Sequence, residues 1–214
     1  DPNTIQTAPP VVLLTDFGLE DGFVGVVKGV IRTIHPEVGI IDLCHDIAPQ
    51  NILQAAFLLA SSYSYFPEKS IFCCVVDPGV GSDRSAVCIE TDRYFFIGPD
   101  NGLLWPAAKA DTIKKIVCLT QAEFFLTPVS RTFHGRDIFG PVAAHLARGV
   151  SDIAQFGSEA GHCVQLEWPE PVLSVDQIEA HVLYVDRFGN LTLTIDARTF
   201  YSHVRGNGFK LKIK

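Results

Sequence analysis

The chain has 214 residues, of which 47% are hydrophobic and 19% charged, so an intrinsically disordered protein is excluded. Seventeen basic against 24 acidic side chains give a formal net charge of −7, which argues against nucleic acid as a partner. The longest apolar stretches, such as Ile71–Val76, are far shorter than the roughly 20 residues that cross a bilayer, so no membrane partner is expected.

Apolar runs alternate with helical patterns through most of the chain. Short continuous apolar runs are typical of buried strands, and the longer stretches of helical period between them predict helices. The predicted strands are Val11–Leu14, Val38–Leu43, Ile71–Val76, Ala86–Glu90 and Tyr94–Gly98, the last two as a hairpin. The predicted helices are Val24–Ile34, Asn51–Tyr65 and Ile138–Arg148. This order predicts an α/β fold, an α/β/α sandwich with a mostly parallel sheet.

The pattern changes at the segment WPEPVL, where two prolines stand close together. Beyond it, His181–Val185, Leu191–Ile195 and Phe209–Ile213 are predicted strands, and DRFGN is the turn between the first two. We therefore predict two domains, residues 1–168 and 169–214, the second small, all-β and of β-barrel type. Three strands in about 40 residues form a weak core, so we expect this barrel to be incomplete.

The six cysteines form neither a CxxC pair nor a zinc-type spacing with histidine. They are Cys44, Cys73, Cys74, Cys88, Cys118 and Cys163. We interpret them as small buried hydrophobic residues in a reducing compartment, which predicts a cytoplasmic location. The sequence has no methionine and begins DPNTIQTAPP, which indicates a processed start, with a removed signal peptide as the alternative.

Polar residues directly after the predicted strands are candidates for a site, because open parallel sheets bind ligands beyond the carboxyl ends of their strands. These residues and their neighbours in the loops are Asp16, His45, Asp46, Asp77, Arg84, Asp100, Asn101 and His134. Any one of them is more often a turn former or a helix cap than a functional residue. Their number at one edge favours a site. We expect Asp77, Arg84 and His134 to converge if they act together.

Two local motifs suggest other chemistry. The loop DPGVGSDR lacks the Lys and Ser/Thr of a phosphate-binding loop and leads into a strand, which argues against phosphate binding. The segment Cys44–Asp46 could belong to a metal site or a Cys–His nucleophile, although no further ligands follow at a suitable spacing.

Five motifs in order, TDFG, VDPGVGSDR, IGPDNGLL, TFHGRD and FGN, resemble the S-adenosylmethionine hydroxide adenosyltransferase family, whose relatives are the fluorinases and chlorinases. The resemblance runs from about Val11 to Thr194. It implies an enzyme that hydrolyses S-adenosyl-L-methionine to adenosine and methionine, without a cofactor or a metal. It also implies a homotrimer, with each active site between the α/β domain of one subunit and the β-barrel domain of the next.

The resemblance also implies roles for individual residues. Asp77, Arg84 and His134 would handle the water, and Asp16 would bind the ribose diol. From the neighbouring subunit, Asp186, Phe188 and Asn190 would contact methionine and adenine. The chemistry is consistent with these roles, because a sulfonium expels a neutral thioether and therefore needs no acid. It does need water held in line and a proton acceptor, for which Asp77 and His134 are the candidates.

Three alternatives stand beside hydrolysis by activated water. Halogenation is disfavoured by Gly135, where the fluorinase motif has a serine, and by the anionic Asp77, which would repel a halide. A non-catalytic nucleoside- or S-adenosylmethionine-binding module is the second alternative. The third is a metal-dependent hydrolase that uses Asp16, His45, Asp46 and Asp77.

Overall fold

The computed structural model describes residues 8–206, 208–210 and 212. Contacts divide the chain into two units, residues 1–166 and 167–214, and each is described by itself. Within the described ranges, no helix has both the length and the apolar character needed to span a membrane.

A seven-stranded mixed sheet forms the centre of the first unit. Its strands are β1 (Val11–Thr15), β2 (Ile40–Cys44), β3 (Ile71–Val75), β4 (Ala86–Thr91), β5 (Phe95–Pro99), β6 (Ile113–Leu119) and β7 (Gly157–Glu159). Their order in the sheet is β2-β1-β3-β5-β4-β6-β7. The first four strands in this order are mutually parallel, and the other three are joined by antiparallel pairs. The predicted parallel centre is confirmed, and the antiparallel part makes the sheet mixed.

Helices cover both faces of this sheet. They are α1 (Phe23–Ile34), α2 (Ile52–Ser62), α3 (Trp105–Ala110) and α4 (Gly140–Arg148). Helices α1 and α4 pack together over one face, and α2 and α3 pack together over the other. The neighbours Cys73 and Cys74 belong to the cores on opposite faces, as the alternation of side chains along a strand requires. The predicted α/β/α sandwich is confirmed.

Local sequence explains where the helices begin and end. Helix α1 buries Val24, Val27 and Ile31, whose spacing of three and four residues forms one apolar stripe. It ends before Pro36, because a proline disfavours helical backbone in the residue that precedes it. Helix α2 begins after Asn51, whose side-chain oxygen accepts a hydrogen bond from Gln54 N at 2.9 Å.

Two strands of the sheet differ from the sequence prediction. The apolar run of β2 predicts a strand buried on both faces, but β2 lies at the edge of the sheet. Its Asp42 is exposed and pairs with Lys28 at 2.6 Å. The sequence pattern does not predict β6, because Lys114 and Lys115 interrupt its apolar residues. Only pairing with β4 and β7 makes this segment a strand.

The second unit contains short hairpins and one helix. Its elements are β8 (Val172–Leu173), β9 (Ile178–Glu179), β10 (Val182–Val185), β11 (Leu191–Leu193) and α5 (Ala197–Val204). The pairs β8–β9 and β10–β11 are antiparallel. The all-β prediction is wrong for α5, which forms because the Asp196 carboxylate accepts from Thr199 N at 2.9 Å and caps the helix. The predicted strand Phe209–Ile213 lies partly outside the described residues, and the described part of it is not a strand.

Candidate active site

Asp77 and Arg84 form a largely buried ion pair at the edge where the parallel strands end. Asp77 follows β3, and Arg84 precedes β4, which starts at the same edge because it runs antiparallel to β5. Arg84 Nε donates to both carboxylate oxygens, at 2.9 and 3.0 Å, and Nη2 donates to Oδ2. The two side chains are only 5% and 11% exposed. The guanidinium carbon also lies 5.2 Å from the centre of the Phe139 ring, so Arg84 is a cation of fixed orientation.

His134 joins this pair through its Nδ1 atom, which lies 3.0 Å from Arg84 Nη2. Arginine can only donate, so Nδ1 accepts, and the neutral ring has its proton on Nε2. Burial and the charge of Arg84 lower the pKa of His134 below its ordinary 6.5, against the opposing effect of Asp77. The ring is therefore neutral at neutral pH, as this hydrogen bond requires. The predicted convergence of the three side chains is confirmed, and their catalytic roles stay a prediction.

A buried carboxylate anchors the segment that holds His134. Asp137 has a fully buried side chain, which accepts from Ser130 N at 2.8 Å and from Arg136 Nε at 2.6 Å. Burial would raise the pKa of Asp137, but the hydrogen bonds from Arg136 and Ser130 keep it below its ordinary value. Asp137 is not among the site residues predicted from the sequence. The available signal was a charged residue directly before the apolar start of a predicted helix, since such a charge is buried only when it is paired.

The loop DPGVGSDR passes close to the same segment. Gly81 has a φ of +77°, and a Cβ atom there would lie 2.4 Å from the carbonyl oxygen of Arg131. Ser82 Oγ donates to the Gly79 carbonyl at 2.6 Å, and Arg84 N donates to Ser82 Oγ at 3.3 Å. Glycine at position 81 therefore allows the backbone of this loop to pass close to the backbone at Arg131, and this packing positions Arg84.

Asp16 lies in the loop after β1, next to the loop after β2. Its Oδ2 accepts a hydrogen bond from the Gln50 backbone at 2.8 Å, which leaves Oδ1 without a hydrogen-bond partner among the described residues. Gln50 adopts a φ of 64°, a conformation that non-glycine residues rarely adopt. The Asp16 carboxylate is therefore held from one side and retains acceptor capacity for the vicinal hydroxyls of a ribose.

Three phenylalanines connect the Asp16 loop to the His134 segment. Phe17 and Phe133 have ring centres 5.8 Å apart, and Phe23 lies 6.0 Å from Phe17 and 5.4 Å from Phe133. Gly135 faces this cluster, because a Cβ atom there would lie 3.2 Å from Phe17 Cζ. The two polar loops are thus joined by an apolar contact that fixes their separation.

The side chains of the segment Cys44–Asp46 do not converge as the ligands of a metal ion would. The His45 ring is buried against Thr15, whereas Asp46 is exposed and its backbone N–H points to Cys44 Sγ at 3.4 Å. Across the part of the chain that the structure describes, no three His, Cys, Asp or Glu side chains are grouped as a metal ion would need.

Asp100 and Asn101 have structural partners in the loop after β5. Asp100 Oδ1 accepts from Val164 N at 2.7 Å. The Asn101 side chain donates to the Val76 carbonyl at 2.9 Å and accepts from Leu103 N at 3.2 Å. These contacts account for both residues as loop formers.

The turn between β10 and β11 contains Asp186, Phe188 and Asn190. Asp186 Oδ1 accepts from the backbone N–H groups of Phe188 and Asn190, both at 2.8 Å, and Oδ2 accepts from Asn190 Nδ2 at 2.6 Å. The hydrogen bonds from Asn190 are the main cause of a lowered pKa of Asp186. Phe188 is 91% exposed. Asp186 therefore shapes a turn that presents an aromatic ring to its surroundings.

The chain is similar to known proteins in sequence and in fold. Residues 11–157 match the family described as the S-adenosylmethionine hydroxide adenosyltransferase N-terminal domain. The chain is 40% identical over 192 residues to an (R)-S-adenosyl-L-methionine hydrolase of Salinispora arenicola, covering 88% of this chain and 73% of that protein. It is 24% identical to a fluorinase of Nocardia brasiliensis, covering 96% and 77%. A solved structure of a conserved protein from Thermotoga maritima superimposes with a TM-score of 0.84 at 36% identity, covering 90% and 74%.

Proposed function

The chain belongs to the S-adenosylmethionine hydroxide adenosyltransferase family, and we propose that it hydrolyses S-adenosyl-L-methionine to adenosine and L-methionine. The observation that supports this proposal most directly is the cluster of Asp77, Arg84 and His134. Three polar side chains from separate loops meet there, and one of them is a cation of fixed orientation. Such a cluster can orient a water molecule and receive its proton.

The proposed reaction is an in-line displacement at the ribose C5′ atom. A bond forms between the water oxygen and C5′, the bond between C5′ and sulfur breaks, and its electron pair stays on sulfur as the methionine thioether. The water proton needs an acceptor. His134 Nδ1 has a single lone pair, which already accepts from Arg84, and its Nε2 has the proton. Asp77 also accepts from Arg84, but its Oδ1 accepts one hydrogen bond and retains a second lone pair, so Asp77 is the better acceptor in this arrangement. Arg84 then stabilises the developing hydroxide.

Asp16 and the turn at Asp186–Asn190 complete the proposal. Asp16 binds the ribose diol through its available oxygen, Oδ1. In a homotrimer, Phe188 and Asn190 contact the adenine and methionine parts of the substrate that is bound to the neighbouring subunit. The exposed ring of Phe188 is available for stacking. No metal or cofactor takes part in this scheme. The protein then acts on a small molecule in the cytoplasm.

The test is incubation of the purified protein with S-adenosyl-L-methionine in ¹⁸O-labelled water, followed by chromatography and mass spectrometry. Attack at C5′ places the label in the 5′-hydroxyl of adenosine and leaves methionine unlabelled. Both sulfonium epimers are assayed, because the Salinispora relative is named for the (R) form. A protein that binds adenosine but forms no product would be a binding module. Loss of turnover after chelation, restored by a divalent metal, would favour the metal-dependent alternative.

A further inference from the structure

A buried polar pair lies beside the Asp16 loop and takes no part in the chemistry proposed above. Thr15 Oγ1 and His45 Nδ1 are 2.8 Å apart, and the two residues are 3% and 4% exposed. Thr15 Oγ1 also accepts from Phe17 N at 3.3 Å, so its own proton is available to His45 Nδ1. The hydroxyl therefore has a partner on each side and is closed to solvent.

The same two loops meet at further points. His45 accepts a hydrogen bond from Gly18 N at 2.8 Å through its carbonyl oxygen, and Gln50 N donates to Asp16 Oδ2. The loop after β2 thus holds the residues before, at and after Asp16. Of these three contacts, the one between Thr15 and His45 joins two side chains, so a substitution can remove it without changing the backbone bonds.

The other ring nitrogen of His45, Nε2, is also buried, and it lies 3.0 Å from Asp42 Oδ1, so Asp42 forms an ion-pair contact with the ring when the ring is protonated. Asp42 also pairs with Lys28 at 2.6 Å. Asp42, His45 and Thr15 resemble the order of a hydrolytic triad, but the Thr15 oxygen is too buried to attack a substrate. Thr15 directly precedes Asp16 in the chain, so its hydrogen bond with His45 also restrains the position of Asp16.

We propose that Thr15 and His45 are positioning residues for Asp16, and that their hydrogen bond sets the affinity of the protein for the ribose of its substrate. This inference rests on the proposed function, because it takes Asp16 as the ribose ligand. Asp16 binds ribose in the bound substrate as well as in the transition state. A misplaced Asp16 therefore weakens substrate binding as well as turnover.

The test compares Thr15→Val with Thr91→Val. Thr91, the last residue of β4, is a matched control, because it is also 3% exposed and its hydroxyl donates to the buried Asp111 at 2.8 Å. We expect Thr15→Val to raise the KM for S-adenosyl-L-methionine and the Kd for adenosine by about 3–10-fold, the range of one net hydrogen bond. Thr15→Ser should restore both values. Thr91→Val should lower thermal stability and leave both values unchanged.

A double-mutant cycle with Asp16→Ala completes the test. If Thr15 acts through Asp16, Thr15→Val should change the adenosine Kd by less than about twofold in the Asp16→Ala background. Equal effects in both backgrounds, or wild-type constants for Thr15→Val, would overturn the inference. His45→Asn serves as the second variant if Thr15→Val does not fold. A wild-type protein that binds adenosine without turnover would refute the proposed function, while the adenosine measurements would still test the positioning role.

Discussion

Replacement of Asp77 by asparagine would test the proposed catalytic role of the Asp77–Arg84 pair, because the two side chains have nearly the same shape. Arg84 donates to both carboxylate oxygens of Asp77. In asparagine one of these oxygens is replaced by an NH₂ group, which is a donor and would face the N–H donors of Arg84. A hydrogen bond to a charged group contributes about 1.5–3 kcal/mol, or a factor of about 10–150 in rate. Loss of the proton acceptor itself costs about 10²–10⁴-fold. We expect kcat to fall by about 10²–10⁴-fold, and KM to change by less than about threefold.

The assay is the steady-state formation of adenosine, measured by chromatography at several substrate concentrations. Asp16→Asn provides the contrast. A residue that binds the ribose does so in the enzyme–substrate complex as well as in the transition state, so the KM of this variant should rise while its kcat falls. Thermal unfolding of both variants controls for loss of structure, since the Asp77 and Arg84 side chains are largely shielded from solvent. If Asp77→Asn retains more than about a tenth of the wild-type kcat, Asp77 is not the proton acceptor.

Three further predictions concern pH, stability and the loop before β4. Activity should fall on acidification with an apparent pKa below about 6.5, because a protonated His134 Nδ1 would face the Arg84 guanidinium. In His134→Asn the amide oxygen can still accept the hydrogen bond from Arg84 but does not titrate, so the pH–rate profile of this variant should lack this acidic limb. Asp111→Asn should lower the free energy of unfolding by about 1–3 kcal/mol at neutral pH, measured with urea. Burial raises the pKa of Asp111, but hydrogen bonds from Arg93 and Thr91 keep it below its ordinary 3.8, so its stabilising effect is present above that value and is lost as the pH falls below it. Gly81→Ala should lower the thermal midpoint and the activity together, because of its positive φ and the 2.4 Å approach to Arg131, whereas the exposed neighbour Asp83→Ala should change neither.

The early alternation of strands and helices is readable from the sequence because it depends on local pattern. The runs that became β1 and β3 are continuous and apolar, and helix α1 shows a clear apolar stripe. The sequence also predicts that Asp77 and Arg84 reach one edge of the sheet, since residues that follow parallel strands share an edge. The motif order alone identified the family.

Helix α5 and strand β6 show where local pattern is insufficient. Helix α5 depends on a cap at Asp196, and its segment has little apolar character to distinguish it from a turn. Strand β6 has two lysines among its apolar residues and is a strand because β4 lies beside it. The exposure of β2 likewise depends on its position, because a strand at the edge of the sheet has a neighbouring strand on one side and solvent on the other.

The fold class, the family and the candidate residues can be read from the amino-acid sequence, because they follow from periodicity and from motifs of a few residues. The pairing of side chains cannot be read in this way and is known from the folded chain. The contact between Arg84 and His134 joins residues 50 positions apart, and the contact between Thr15 and His45 joins residues 30 apart. Such pairs depend on strand order and loop path. A polar side chain in the sequence shows what it can donate or accept, but its partner comes from another segment that only folding brings within hydrogen-bond distance.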